Sequence, residues 1–184
     1  MNLLASRGQL RASLLRWVLL LVPAILLMGS LSGLLSGSGT DNLWFASLVK
    51  PSIYPPPAAF GLVWTALYIM MGISAALICS AWGAHGRGGA ILAFALQLAM
   101  NLAWSPLFFG MHQIKASLVL ISLLDAAVLV TIILFWRVRW LAGALLLPYL
   151  AWALFATLLT WQFLELNPDA DGREVSGAVQ RIEL

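Results

Sequence analysis

Two amides, Gln97 and Asn101, stand four residues apart in an apolar stretch, with Trp104 three residues further on. At helical pitch that spacing puts both amides on one face. An amide is unfavourable against hydrocarbon, so this face must point into protein. There it has two uses: hydrogen bonds to a bound molecule, or hydrogen bonds between helices worth about 1 kcal/mol. Trp64 and Tyr68 repeat the one-turn spacing upstream. Trp152 and Phe155, with Trp161 two turns or so beyond, form an aromatic series downstream. Pro148 and Tyr149 precede them, and the proline is able to break a helix there. A cavity walled by indoles and a few amides suits a flat, largely apolar ligand. Aromatic core packing is the competing use of the same rings.

Asp125 is the one acid deep inside an apolar run, where an ionisable group is a functional candidate. No Lys, Arg or His lies deep within the runs to pair with it, so a protonated or hydrogen-bonded carboxyl is an equal reading. A Ser-His-Asp set, an HExxH pair, a phosphate loop and paired carboxylates are all missing, so no enzyme is recognisable by motif. The single cysteine, Cys79, forms no internal disulfide and has no Cys or His at ligand spacing, so no metal site is expected. His85 and His112 fall in loops and read as solvated.

The elements that position these groups are five apolar runs: Leu14 to Leu35, Ala58 to Ala81, Gly89 to Phe109, Ala116 to Trp136 and Leu141 to Leu164. A hydrocarbon layer of about 30 Å needs about 20 helical residues. Inside it the backbone must bond to itself, which predicts helices. The 184 residues are 62% hydrophobic and 9% charged, too few charges to cover a soluble domain. The fold class is therefore an all-α membrane protein, a five-helix bundle over residues 14–166. A basic head, 1–13, precedes it, and a polar tail, 167–184, expected to be disordered, follows. The first run is longer than the apolar part of a signal peptide, about 7 to 15 residues, and reads as a retained span kinked near Pro23. Links at His85–Gly88, Met111–Lys115 and Arg137–Arg139 are short, which makes consecutive spans antiparallel neighbours.

One connection is long. Ser36 to Pro57 starts Gly/Ser-rich, then carries Trp44, Phe45, Lys50, Pro51, Tyr54 and three prolines that stiffen it into an extended path. It reads either as a structured lid over the helix ends or as an interfacial aromatic belt. Gly29, Gly33 and Gly37 make two GxxxG steps in the first run, and Ala95, Ala99 and Ala103 repeat every four in the third. Small residues on one face let helices approach closely, and the alanine ridge is the better candidate for a homodimer seam. The net charge of +3 is scattered and marks no nucleic-acid surface. Arg7, Arg11, Arg16, Arg87, Arg137 and Arg139 fall on one side. Lys50, Lys115, Arg173 and Arg181 fall on the other among four acids, which places the N-terminus in the cytoplasm.

Three motifs in order carry a resemblance. Leu43-Trp44-Phe45 through Lys50-Pro51 and Pro55-Pro56, then Phe60 and Trp64-Thr65-Ala66-Leu67-Tyr68, are similar to the first loop and second helix of the TspO/MBR family, the tryptophan-rich sensory proteins and mitochondrial translocator proteins. Gln97 through Asn101, Trp104, Ser105 and Pro106 to Gly110 resembles that family's third helix. Pro148-Tyr149-Leu150-Ala151-Trp152, Phe155-Ala156-Thr157 and Asn167 resemble its last. The resemblance covers about residues 20 to 167.

The resemblance implies a five-helix bundle, often dimeric, with the first loop as a lid over a pocket for porphyrins, heme or other tetrapyrroles. By position the pocket takes Trp44, Phe45, Trp64, Tyr68, Asn101, Trp104, Trp152 and Phe155. Trp64 and Trp152 would flank the ligand, Asn101 would supply a polar contact, and Trp44 would close the lid. No cofactor is required. The implied function is a tetrapyrrole sensor or translocator; the few cysteines and short loops, read separately, fit a bacterial cell membrane. Breakdown of porphyrin by light and oxygen, with Trp64 and Trp152 as the reactive indoles, and transport of small apolar ligands are the alternatives. Ser52 and Ile53 stand where many relatives carry tryptophan, and Ala58 replaces another aromatic. Leu120 stands where many relatives carry an acid, so Asp125 inherits no role. Trp161 and Glu165 do not fit the proposed sterol motif, so specific cholesterol recognition is not expected.

Overall fold

The computed structural model describes residues 7–173, and the regular elements there are all helical. They are α1 (Arg7–Leu35), α2 (Leu43–Ser47), α3 (Pro57–Cys79), α4 (Arg87–Ser105), a π-helical turn (Pro106–Gly110), α5 (Ile114–Val138), α6 (Trp140–Leu145) and α7 (Leu147–Leu166). Five helical segments are long and apolar enough to cross a membrane: α1, α3, α4 with its π turn, α5, and α6 with α7.

Local chemistry sets the boundaries. Pro57 opens α3, where a missing N–H removes no helical bond. Gly86, in the left-handed region, precedes α4, so Arg87 and Gly88 belong to the helix and not to the turn expected for them. Arg87 reaches back to cap α3, donating to the carbonyls of Ile78 (3.2 Å) and Cys79 (2.8 Å), with its guanidinium 4.4 Å from the Trp82 ring centroid. Pro106 has no N–H to continue the α ladder, and the chain widens there into the π turn, closed by Met111 N–H to Pro106 O at 2.9 Å. The break expected near Pro148 occurs at Leu146, between α6 and α7. Residues 7–13, expected as a separate head, are continuous with α1.

The spans close into a ring. α1 packs on α3, the α6–α7 span lies between α3 and α5, and α4 lies between α5 and α1. Chain order therefore predicts the α1–α3 and α4–α5 neighbours and the packing of α5 on the last span; only α3 and α4 touch less than their short link predicts, and α3 leans more on α6 than on α4. At the end holding Arg11, Arg87, Arg137 and Arg139 the ring is tight. A Cβ on Gly72 would come within 2.7 Å of the Val22 Cα, and one on Gly143 within 3.0 Å of the Ile132 carbonyl. Met71, Ile78, Ala90, Val128, Phe135 and Ala142 are fully buried there, and the Ser74 hydroxyl donates to Ala142 O at 2.7 Å.

Of the glycine series of α1, Gly29 is spent inside the bundle. A Cβ on Gly29 would sit 2.2 Å from the Tyr68 ring, and Gly37 lies beyond the helix with φ +63°. Ala95, Ala99 and Ala103 of α4 are exposed, with Leu92 and Leu96 beside them, so that ridge faces out of the ring.

Candidate functional site

At the opposite end the ring encloses a cavity of about 520 Å³. This lies within the range of small-molecule sites. Tyr68 and Trp64 reach it from α3, Asn101 and Trp104 from α4, Phe108 from the π turn, and Trp152 from α7. Phe45, Tyr54 and Phe60 bring the loop and the start of α3 into the wall. Exposed Leu34, Gly39, Thr40, Gly61 and Thr65 form its rim between the end of α1 and the start of α3.

Polar bonds fix the wall. The Tyr68 hydroxyl donates to Asn101 Oδ1 at 3.2 Å, and the buried Tyr149 hydroxyl donates to Gln97 Oε1 at 3.0 Å. Both amides thus bond between helices, Asn101 to α3 and Gln97 to α7. Asn101 lies on the cavity wall, whereas Gln97 is fully buried and ties α4 to α7. Trp64 stacks on Tyr68, with centroids 5.2 Å apart, and Trp104 on Phe108 at 5.0 Å. The indole N–H groups of Trp104 and Trp152 are buried and have no hydrogen-bond acceptor. Asp125 is not part of the wall; its Oδ2 accepts the Thr157 hydroxyl at 2.7 Å, while Oδ1 has no partner.

The loop is folded and not simply extended. Asn42 caps the short helix α2, accepting the Phe45 N–H at 2.9 Å, and its Nδ2 donates to Phe109 O at 3.2 Å, tying the loop to the π turn. Lys50 turns back over α2. Its ammonium donates to the carbonyls of Phe45, Ala46 and Leu48 and lies 4.6 Å from the Phe45 ring centroid. Burial there pulls its pKa below the ordinary lysine value.

The segment after α7 completes the roof, which corrects the expectation of disorder from Asn167 onward. Asn167 accepts the Val49 N–H at 2.8 Å and donates to the Val49 carbonyl at 3.0 Å, as a neighbouring strand would. Trp44 Nε1 donates to Ala170 O at 3.1 Å, Gly172 N–H to His112 O at 2.8 Å, and Lys115 N–H to Asp171 Oδ1 at 3.1 Å. Residues 174–184, with Arg181, lie outside the described residues.

Of the eight residues assigned to a pocket from the sequence, six line the cavity: Phe45, Trp64, Tyr68, Asn101, Trp104 and Trp152. Trp44 and Phe155 do not. Trp44 is buried between loop and tail, stacked on His112 with centroids 4.6 Å apart, because its indole is needed to fasten the roof. His112 is therefore half-buried where solvation was expected, while His85 is exposed. Phe155 packs behind Trp152, centroids 5.3 Å apart. The sequence reading missed Phe108, Thr160 and Phe163, which look like ordinary core positions until the ring order is known.

A ring of five membrane-crossing helices around an aromatic chamber, roofed by a folded loop, defines a multi-pass membrane protein with an internal small-molecule-sized site. Its sequence matches the model of the TspO/MBR family over residues 20–166, and the chain belongs to that family. Protein CrtK of Rhodobacter capsulatus is 40% identical over 130 residues, covering 70% of this chain and 81% of that protein. The tryptophan-rich protein TspO of Chlorobaculum tepidum is 43% identical over 126 residues, covering 68% and 80%. The human translocator protein is 40% identical over 126 residues, covering 67% and 74%.

Proposed function

We propose that the chain binds a tetrapyrrole such as a porphyrin or heme in this cavity and acts as a membrane sensor or translocator. The observation that carries the reading is the wall itself: Trp64, Tyr68, Trp104 and Trp152 around a space of about 520 Å³ beneath a pinned loop. Flat aromatic rings stack favourably on indoles, and a mostly apolar wall desolvates a macrocycle at little expense. The test is quenching of tryptophan fluorescence by protoporphyrin in protein-loaded nanodiscs. Trp64→Ala and Trp152→Ala are each expected to weaken binding about ten-fold, about 1.4 kcal/mol. Unchanged binding in both variants removes the cavity as the site.

The same two indoles support a second reading, breakdown of bound porphyrin under light and oxygen, since oxidisable rings would lie beside a photosensitiser. Product formation on illumination, compared between the natural chain and Trp64→Phe, separates the two. Orientation follows from charge. Among the described residues one end of the ring carries Arg11, Arg16, Arg87, Arg137 and Arg139 with no acid, so we place that end in the cytoplasm of a bacterial cell. We assign the outward ridge Ala95, Ala99 and Ala103 to a homodimer seam, to be checked by cross-linking cysteines placed along it.

A further inference from the structure

The lipid-facing stripe of α5 ends in charge. Leu129, Val130 and Ile133 are exposed on the outside of the ring, and one turn further on Trp136 and Arg137 continue that face. Arg139 stands in the extended corner between α5 and α6, and exposed Trp140 opens α6. The corner is fixed by its own backbone. Arg139 N–H donates to Phe135 O at 2.7 Å, and the Arg139 carbonyl accepts Ala142 N–H at 3.0 Å. Trp136 is held as well, because its ring lies against Gly143, where an added Cβ would come 2.8 Å from Cε3.

Two guanidinium groups are left over. Among the described residues neither the exposed Arg137 nor the half-buried Arg139 makes a hydrogen bond or ion pair through its side chain. Arg87, at the same end of the ring, is used up on the Ile78 and Cys79 carbonyls. No described acid lies at this end, so the acceptors for Arg137 and Arg139 must come from outside the chain.

The surroundings select the occupant. Indoles collect at headgroup depth, so Trp136 and Trp140 set the two arginines at the level of lipid phosphates. The apolar stripe of α5 runs from there into the bilayer and offers a track for an acyl chain, which a free phosphate would not use. No carboxylate stands by to meet the ammonium of a zwitterionic headgroup, so the local field favours a lipid with net negative charge. The arginine fork matches two phosphate oxygens at once. We propose that the α5–α6 corner binds an anionic phospholipid, its phosphate held by Arg137 and Arg139 and its chains lying along Leu129, Val130 and Ile133. The site is on the outer face of the ring, at the end opposite the cavity, and does not depend on what the cavity holds.

The test is native mass spectrometry of the intact chain in detergent, titrated with phosphatidylglycerol or with phosphatidylcholine of the same chain length. The natural chain is expected to take phosphatidylglycerol about ten-fold more tightly. Arg137→Gln with Arg139→Gln is expected to abolish that preference. Arg11→Gln with Arg16→Gln removes the same charge from exposed positions on α1 and is expected to reduce it by less than about two-fold. Glycerol phosphate, which has the anionic group but no chains, is expected not to compete at equal concentration. Equal affinity for the two lipids in the natural chain overturns the inference, and that comparison needs no variant to fold. An equal loss in both double variants also overturns it, because it would show a diffuse field and not a site. Full competition by glycerol phosphate overturns it as well, in favour of a free phosphate.

Discussion

The two ends of the bundle are made from the same helices but solve different packing problems. At the arginine-bearing end, small residues bring backbones together: Gly72 against Val22, Gly143 against Trp136 and the Ile132 carbonyl, Ala90 and Ala142 with no exposed surface. At the loop end, large rings hold the same helices apart. Trp64, Tyr68, Trp104 and Trp152 project from three of them, and the space they leave is the cavity. Rigidity at one end and room at the other are linked. A ring of helices that closes tightly at one level can splay at another without coming apart, provided that the open end is fastened by something else. Here the fastening is the loop and the segment 167–173.

That division makes substitutions at the two ends differ in kind. The largest effect is expected at the closed end. Gly72→Leu forces a side chain into the Val22 backbone, only 2.7 Å from an added Cβ, and should destabilise the bundle by about 3 kcal/mol, read as loss of thermal stability in detergent or nanodiscs. An unchanged melting temperature would show that α1 and α3 slide freely, against the picture of a rigid base.

Next is the fastening. Asn167→Ala removes both hydrogen bonds to Val49 and leaves that backbone to find water, a change of about 2 kcal/mol felt by the roof and not by the base. Hydrogen exchange should rise across residues 42–56 and stay unchanged across 71–79 and 128–138. Equal rises in both regions would mean that the two ends unfold as one unit.

The smallest effect is expected on the cavity wall. Trp104→Phe keeps a ring against Phe108 and removes an N–H that has no acceptor, so stability should change by less than about 0.5 kcal/mol. A fall as large as that of Gly72→Leu would show that the open end is held by its rings and not by its roof.

Much of this was legible in residue order. The five spans follow from hydropathy and length, and Gln97, Asn101, Trp64, Tyr68 and Trp152 stand out as polar or aromatic groups within the apolar runs, open between ligand contact and helix packing. What misled was carrying Trp44 and Phe155 into the pocket by resemblance. Trp44 has the same composition signal as Trp64, yet it fastens the roof to Ala170. The tail had a polar, charged composition that reads as disorder, but Asn167 and Asp171 find backbone partners on segments 118 and 56 residues away in sequence, which no local pattern encodes.

The sequence by itself determined that this is a five-span helical membrane protein, because lipid leaves the backbone no choice but to bond within each apolar run. Only the tertiary structure decided which rings enclose a space and which merely pack. That depends on the ring order of the helices, with the last span between α3 and α5, and on the close approach of glycines at one end. Both arise from contacts between residues far apart along the chain.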